Sequence, residues 1–301
     1  MSTLTVCLFG KLHVQCGEQV LADLGARKVQ ELFAYLLLHR KQRHSREVLA
    51  SLLWGDSTTA QSRKYLRNAL WRLRSVLDSG IGAGNGDVLL VEPGWVSLNP
   101  DADLWLDVAT FEQVFARVQG VPGRALDTLR VQALRKALDS YRGDLLEGWF
   151  QDWCLYERER LQNMYLAILD KLMDHCEARG EYEAGLAHGA RILSYDKARE
   201  RTHRRLMRLY YLAGDRTAAL RQYDRCVEAL RRELAVRPAA RTITLYEQIR
   251  EERFAVTPVP ATSPWCEALD HLSQLQTTLA EVQCQLQHIV RAVELAQKGQ
   301  H

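Results

Sequence analysis

The sequence is short of the features that mark an enzyme, a membrane protein or a secreted scaffold. Its seven cysteines never form a C-x-x-C pair, so the spacing encodes neither a disulfide framework nor a zinc knuckle. There is no G-x-x-x-x-G-K-[ST] run and no strand followed by a dinucleotide fingerprint, which removes the usual phosphate cradles. A nucleophile elbow is missing, and His13, His39, His44, His175, His188 and His203 fall at unrelated spacings, so neither a metal site nor a catalytic constellation is indicated. The longest apolar stretches, such as Leu32 to Leu38, fall far short of the roughly 20 residues that span a bilayer. Residues 1–20 lack the basic stretch, apolar run and cleavage site of a secretory signal. These absences predict a cytoplasmic protein that is not an enzyme, with no cofactor, no metal and no membrane partner.

Net charge is scarce too. Lys and Arg number 40 against 37 Asp and Glu, leaving +3, too little by itself to imply a nucleic-acid partner. At about 100 to 200 residues per domain, 301 residues predict two domains. Residues 4–15 (LTVCLFGKLHVQ) alternate like a strand pair broken by Gly10. From Ala26 the spacing turns helical, with Val29, Leu32, Phe33, Leu36 and Leu37 on one face. A second helix carries Val48, Leu49, Leu52 and Leu53, with Ser45 placed to cap it. A third runs from Thr58 or Thr59 to about Leu77 and buries Leu66, Leu70, Leu73 and Leu77. After a glycine-rich loop, Ser79 to Gly86, strands Asp87–Val91 and Trp95–Leu98 flank Glu92-Pro93-Gly94 as a hairpin.

The charge that exists is concentrated. Between Arg27 and Arg74 eleven basic residues face three acids, a local balance of +8. On the third helix Arg63, Lys64, Arg67, Asn68, Arg72 and Arg74 occupy faces other than the leucine stripe. Arginine pairs bidentately with guanine and asparagine with adenine, and cations bind phosphate, so this helix is a candidate DNA reader. A solvated basic helix is the plainer alternative. Three helices followed by a hairpin narrow the first reading to a winged helix-turn-helix.

From Val108 to Arg253 the periodicity is almost continuously helical. Gly180-Glu181-Tyr182-Glu183-Ala184 recurs as Gly214-Asp215-Arg216-Thr217-Ala218, and Leu186 as Leu220, a displacement of 34 residues that is the tetratricopeptide period. Trp149 and Trp153 are expected four apart on a helix and in the core, and Trp54 is also expected in the core. A second basic cluster, with Arg201, Arg204, Arg205 and Arg208, is either a solvated face paired with nearby acids or a contact for an acidic partner or anionic effector. Residues 255–264 (AVTPVPATSP) hold three of the seven prolines and no charge, as a linker does. Beyond it Leu272, Leu275, Leu279, Val282, Leu286, Ile289 and Val293 alternate at three and four residues, a heptad seam that predicts a coiled coil. Leucine at a with β-branched residues at d favours trimers or tetramers over parallel dimers. With few charges at the flanking positions, self-association is expected; an amphipathic helix folded back on the helical domain is the alternative.

The runs LGARKVQELFAYLLLHR, LASLLWGD and SRKYLRNALWRLRSVL resemble an OmpR-type winged helix, and more specifically the SARP family of bacterial transcriptional activators. YRGDLLEGWFQDWCLYERERLQ and ARERTHRRLMRLYYLAGDRTAALRQYDRCVEALRRELAVRP resemble that family's tetratricopeptide-like bacterial transcriptional activator domain. The resemblance covers about residues 1–252. It implies a third helix docked in the major groove, binding to direct repeats as a side-by-side dimer, and recruitment of RNA polymerase including its sigma subunit. By position in R-x-L-R, Arg72 resembles a base-reading arginine and Arg74 a phosphate contact. Lys64, Arg67 and Asn68 complete the reading surface, and Arg43 and Arg46 resemble phosphate clamps. One departure stands out: related wings commonly carry a basic residue, whereas Ser75 to Ala116 contain no Lys or Arg but seven acids. Phosphate should repel such a wing, which moves the expected affinity to the third helix and the Arg40–Arg46 loop and leaves the wing to face another protomer or polymerase.

The expected fold is therefore mainly α: a winged helix-turn-helix of α+β type over residues 1–107, an all-α tetratricopeptide-like domain over 108–254, a linker over 255–264 and a coiled-coil helix over 265–298. The expected function is sequence-specific transcriptional activation. The alternative is a tetratricopeptide-type scaffold whose basic winged helix serves only protein contacts. Deleting residues 265–301 should lower the mass measured by light scattering and weaken cooperative occupancy of repeated half-sites. An unchanged mass would show that the tail folds back instead.

Overall fold

The computed structural model describes residues 3–21, 24–81 and 87–253. They form a mainly helical protein with a small N-terminal sheet region. Contacts divide the described chain into two compact units: residues 3–119 with 135–165, and residues 120–134 with 166–253. This division differs from a cut at residue 107, because a stretch following the first helix of the second predicted domain packs with the N-terminal elements.

In the first unit, β1 (Leu4–Cys7) pairs antiparallel with β2 (His13–Cys16), which pairs with β3 (Gln19–Val20). Leu4 and Val6 are fully buried while Thr5 and Cys7 are half-buried, the period-2 burial of a strand. Three helices follow: α1 (Arg27–Leu38), α2 (Arg46–Trp54) and α3 (Thr59–Ile81). They bury Val29, Leu32, Phe33, Leu36, Leu37, Leu49, Leu53, Leu66, Leu70, Leu73 and Leu77, close to the stripe expected from spacing. The two-residue β4 (His44–Ser45) joins the hairpin of β5 (Leu89–Glu92) and β6 (Trp95–Leu98) in order β4-β6-β5. Ser45 makes no side-chain cap; its backbone is extended because it pairs with Trp95.

Strand β7 (Leu104–Leu106) returns to lie parallel to β1, with Leu4 opposite Leu104, and leads directly into α4 (Asp107–Arg117). The buried Asp107 carboxylate accepts hydrogen bonds from the backbone N–H of Leu8 (2.8 Å), Phe9 (2.9 Å) and Val108 (2.6 Å). Burial pushes this carboxyl above the usual aspartate range, against the three N–H donors that favour its charge. On the other side of the same segment, Gly10 N–H donates to Asp144, Leu146 N–H to Leu8, and Glu147 N–H to Gly10. The Phe9 ring sits between Phe111 (5.2 Å) and Tyr141 (4.6 Å). Residues 8–10 are thus clamped between α4 and the segment that follows α5 (Thr128–Ser140).

That segment is shaped by Leu146 and Gly148, both with positive φ, and by the Arg158 guanidinium, which donates to the carbonyls of Leu145, Leu146 and Trp149 at 2.9 Å each. Trp149 precedes α6 (Asp152–Arg179) rather than lying on it. It is buried, with its ring edge-on to Trp153 at 6.2 Å, and Arg27 sits over it at 3.9 Å. Trp54 is half-buried rather than in the core. Glu31, buried in the middle of α1, accepts from Lys28 (2.9 Å), Arg27 (3.4 Å) and the Gln151 amide (2.7 Å).

The second unit contains the rest of α6, then α7 (Tyr182–Tyr195), α8 (Glu200–Leu212), α9 (Arg216–Leu234) and α10 (Ala240–Arg250). The 34-residue recurrence is visible in the backbone: Gly180 and Gly214 both adopt positive φ (74° and 84°) two residues before α7 and α9, where glycine carries no Cβ penalty. Gly189 lets α7 approach closely, since a Cβ there would meet Leu206 at 2.5 Å. Met207, Ala219, Leu245 and Ile249 form a core with Tyr223 stacked on Tyr246 at 4.1 Å. His203 is buried, with Nε2 2.8 Å from the Lys197 carbonyl and Nδ1 2.7 Å from the Gln222 amide. Residues 255–264 and 265–298, including every residue of the expected seam, lie outside the described residues.

Asp107→Ala should cost about 3 kcal/mol, because it strands buried N–H donors, and urea unfolding of the intact chain would measure it. A second outcome concerns acid. Burial raises the pKa of Glu112, but hydrogen bonds from Arg40 and Arg160 outweigh it and hold the carboxyl below its ordinary 4.5. Its stabilising contribution is complete above that value and is lost as pH falls through the depressed pKa. Glu112→Gln should be less stable than wild type at neutral pH, with the difference narrowing as the solution is acidified below about pH 4.

Candidate nucleic-acid interface

Helix α3 presents two unlike faces. Leu66, Leu70, Leu73 and Leu77 face the core, while Lys64, Asn68, Trp71 and Ser75, spaced by four, three and four residues, stand opposite them in solvent. Arg67 and Arg72 flank this exposed row. Among the described residues Lys64, Arg67, Asn68 and Arg72 have no side-chain ion pair or hydrogen bond, so the structure leaves these four predicted residues together and free.

The other predicted contacts are differently placed. Arg63 pairs with Glu47. Arg74 pairs with Asp87 at 2.6 Å and more loosely with Asp78. Arg43 is exposed and reaches Glu92 at 3.4 Å. Arg46 is half-buried and donates its backbone N–H to Gly94 in the hairpin turn. Arg40, expected to add affinity with its loop, points inward to Glu112, which also binds Arg160 at 2.6 Å. Arg160 in turn binds Glu157.

These pairings change the meaning of the acidic wing. Asp87, Glu92 and Glu112 carry arginine partners, Asp107 binds backbone, and Asp103 accepts from the Thr3 hydroxyl. Much of the negative charge that the sequence sets against phosphate is compensated inside the unit.

The second basic cluster lies on α8 and is also occupied. Arg205, only 11% exposed, reaches Asp170 (2.9 Å), Asp174 (3.2 Å) and Glu177 (3.7 Å). Arg208 pairs with Glu177, Arg204 with Glu200 and Thr242, and Arg201 with Asp170. An acidic partner would have to displace these carboxylates.

Residues 106–250 match the family described as Bacterial transcriptional activator domain. The chain is 26% identical over 258 residues to regulatory protein AfsR of Streptomyces coelicolor, covering 85% of this chain and 25% of that protein. Over that domain the chain is similar to bacterial transcriptional regulators of the SARP family. The chain spans a quarter of the length of that curated relative. The fold is similar to that of Mycobacterium tuberculosis EmbR, solved in complex with a low-affinity phosphopeptide. The TM-score is 0.65 at 20% identity, over 93% of this chain and 72% of that one. No helix among the described residues is long and apolar enough to cross a membrane.

Sequence reasoning overlooked Trp71, which is 70% exposed within the solvent-facing row. The signal was available: the same helical spacing that places the leucines inward places Trp71 opposite them.

Proposed function

We propose that this chain is a transcriptional activator whose winged helix-turn-helix, residues 1–107, lays α3 in the major groove of direct-repeat operator sites. The observation that carries the reading is the exposed, unpaired set Lys64, Arg67, Asn68 and Arg72 on one helix, on a surface where neighbouring cations are bound to carboxylates. Arg72 pairs with a guanine edge and Asn68 with an adenine edge. Lys64 and Arg67 bind phosphate or guanine at the helix flanks. Arg43, Arg46, Arg63 and Arg74 form the outer ring. Arg43, Arg63 and Arg74 meet the backbone by exchanging a carboxylate partner for phosphate.

In this reading residues 108–254 form a tetratricopeptide-like domain that contacts RNA polymerase, including its sigma subunit, and residues 265–298 join protomers as dimers or tetramers. The match of residues 106–250 to a bacterial transcriptional activator domain supports a role in transcription, and the helical character of residues 107–250 supports a protein-contact domain. Arg201, the most exposed of the α8 arginines, is the candidate for an acidic partner; Arg204, Arg205 and Arg208 position it through the α8 network.

Selection from a random DNA pool at two salt concentrations tests the reading. A repeated motif with an affinity that falls steeply with salt is expected, since each phosphate neutralised adds about 0.9 to the logarithmic slope. Lys64→Ala should weaken binding to all sequences alike and reduce that slope by about one. Arg72→Ala should lose about 1–3 kcal/mol on the selected motif and relax preference at one base pair. Failure to enrich any motif, with salt-insensitive association, would favour the scaffold instead.

A further inference from the structure

Trp71 is the most exposed tryptophan among the described residues, at 70% against 48% for Trp95 and 40% for Trp105. The other described tryptophans have aromatic neighbours: Trp54 lies by Tyr65, and Trp149 and Trp153 lie edge to face. Among the described residues Trp71 has no ring, cation–π or hydrogen-bond partner. A side chain of this size removes 150–250 Å² from water when it is covered, and here it stands uncovered between Asn68 and Ser75 on an otherwise polar row.

We infer that Trp71 is the apolar reader of the α3 surface, with its indole face packed on the C5-methyl group of a thymine in the major groove. The inference rests on the reading that α3 enters that groove. Indole offers a broad apolar face and a single N–H donor, with no acceptor. In the major groove thymine alone presents a methyl group, and beside it the O4 acceptor. Cytosine offers an amino donor and no methyl, which indole cannot satisfy. Guanine and adenine offer acceptors without a methyl. The match is to thymine, one helical turn along α3 from the Arg67 and Asn68 contacts.

The test uses the full chain and the motif selected by the wild-type protein. Each thymine of the motif is replaced singly by deoxyuridine, which removes only the methyl group. Wild type should lose about fourfold in affinity at one thymine per half-site, the effect of one buried methyl. Trp71→Ala should lose that sensitivity while keeping the wild-type salt slope, because no charge is removed. Trp71→Phe, which keeps an aromatic face, should retain the sensitivity. Circular dichroism of both variants reports the fold. A Trp71→Ala protein that is folded and still shows the wild-type deoxyuridine penalty would overturn the inference, as would wild type insensitive to every replacement. Unchanged base preference with a lower oligomeric mass would overturn it too, by assigning Trp71 to a protein contact. Failure of the wild-type protein to select any motif is a different result, read before any variant is made, and overturns the DNA-reading proposal itself.

Discussion

The buried Asp107 carboxylate joins parts of the chain 99 residues apart, and the arrangement of the N-terminal unit follows from it. Three N–H donors converge on this one group, so the end of β1, the start of α4 and the return of β7 beside β1 are fixed together. The opposite edge of residues 8–10 is taken up by the backbone of residues 144–147. Residues 144–147 precede α6, and Gln151, immediately before its first turn, donates to Glu31. Glu31 belongs to α1, against which α3 packs. Helix α3 is therefore referred, through two buried carboxylates, to a segment of the matched activator-domain region.

Electrostatics in this unit work by assignment rather than by total. A strongly basic stretch lies beside a strongly acidic one in sequence, and folding matches Arg43 with Glu92, Arg74 with Asp87 and Arg40 with Glu112. The exposed pairs among these, Arg43–Glu92 and Arg74–Asp87, contribute little to stability, but they decide which cations are left over. The residue types that remain unpaired on α3 are those that can address base edges and phosphate together.

The sequence made the local elements legible. Helices α1, α2 and α3 have strong apolar spacing, and the β5–β6 hairpin has its turn residues, so each is encoded within its own length. The glycines at 180 and 214 expose the repeat because each follows a helix end with positive φ, where glycine carries no Cβ penalty. What could not be read depends on long-range pairing. The parallel strand β7 is three residues long, too short for periodicity. Ser45 has a capping side chain, but its extended backbone answers to Trp95. Arg40 looks like a groove residue until Glu112, 72 positions away, is folded next to it. Trp149 has helical spacing to Trp153, yet Gly148 and the Arg158 contacts hold it in a turn. Of the candidate interface, Lys64, Arg67, Asn68 and Arg72 were readable from helix phase; the pairing of Arg63 and Arg74 was not.

The clamp on residues 8–10 has a consequence for how such a protein can be recombined. A family boundary near residue 106 invites exchange of the N-terminal module as a cassette cut there. Such a cassette would leave behind Tyr141, Asp144 to Glu147, Trp149 and Gln151, which complete its sheet edge and cover α1. A donor module would arrive with its own version of those contacts unmet. Shuffling of this module is therefore easiest when the stretch through about Trp153 travels with the sheet, or when only the solvent face of α3 is rewritten.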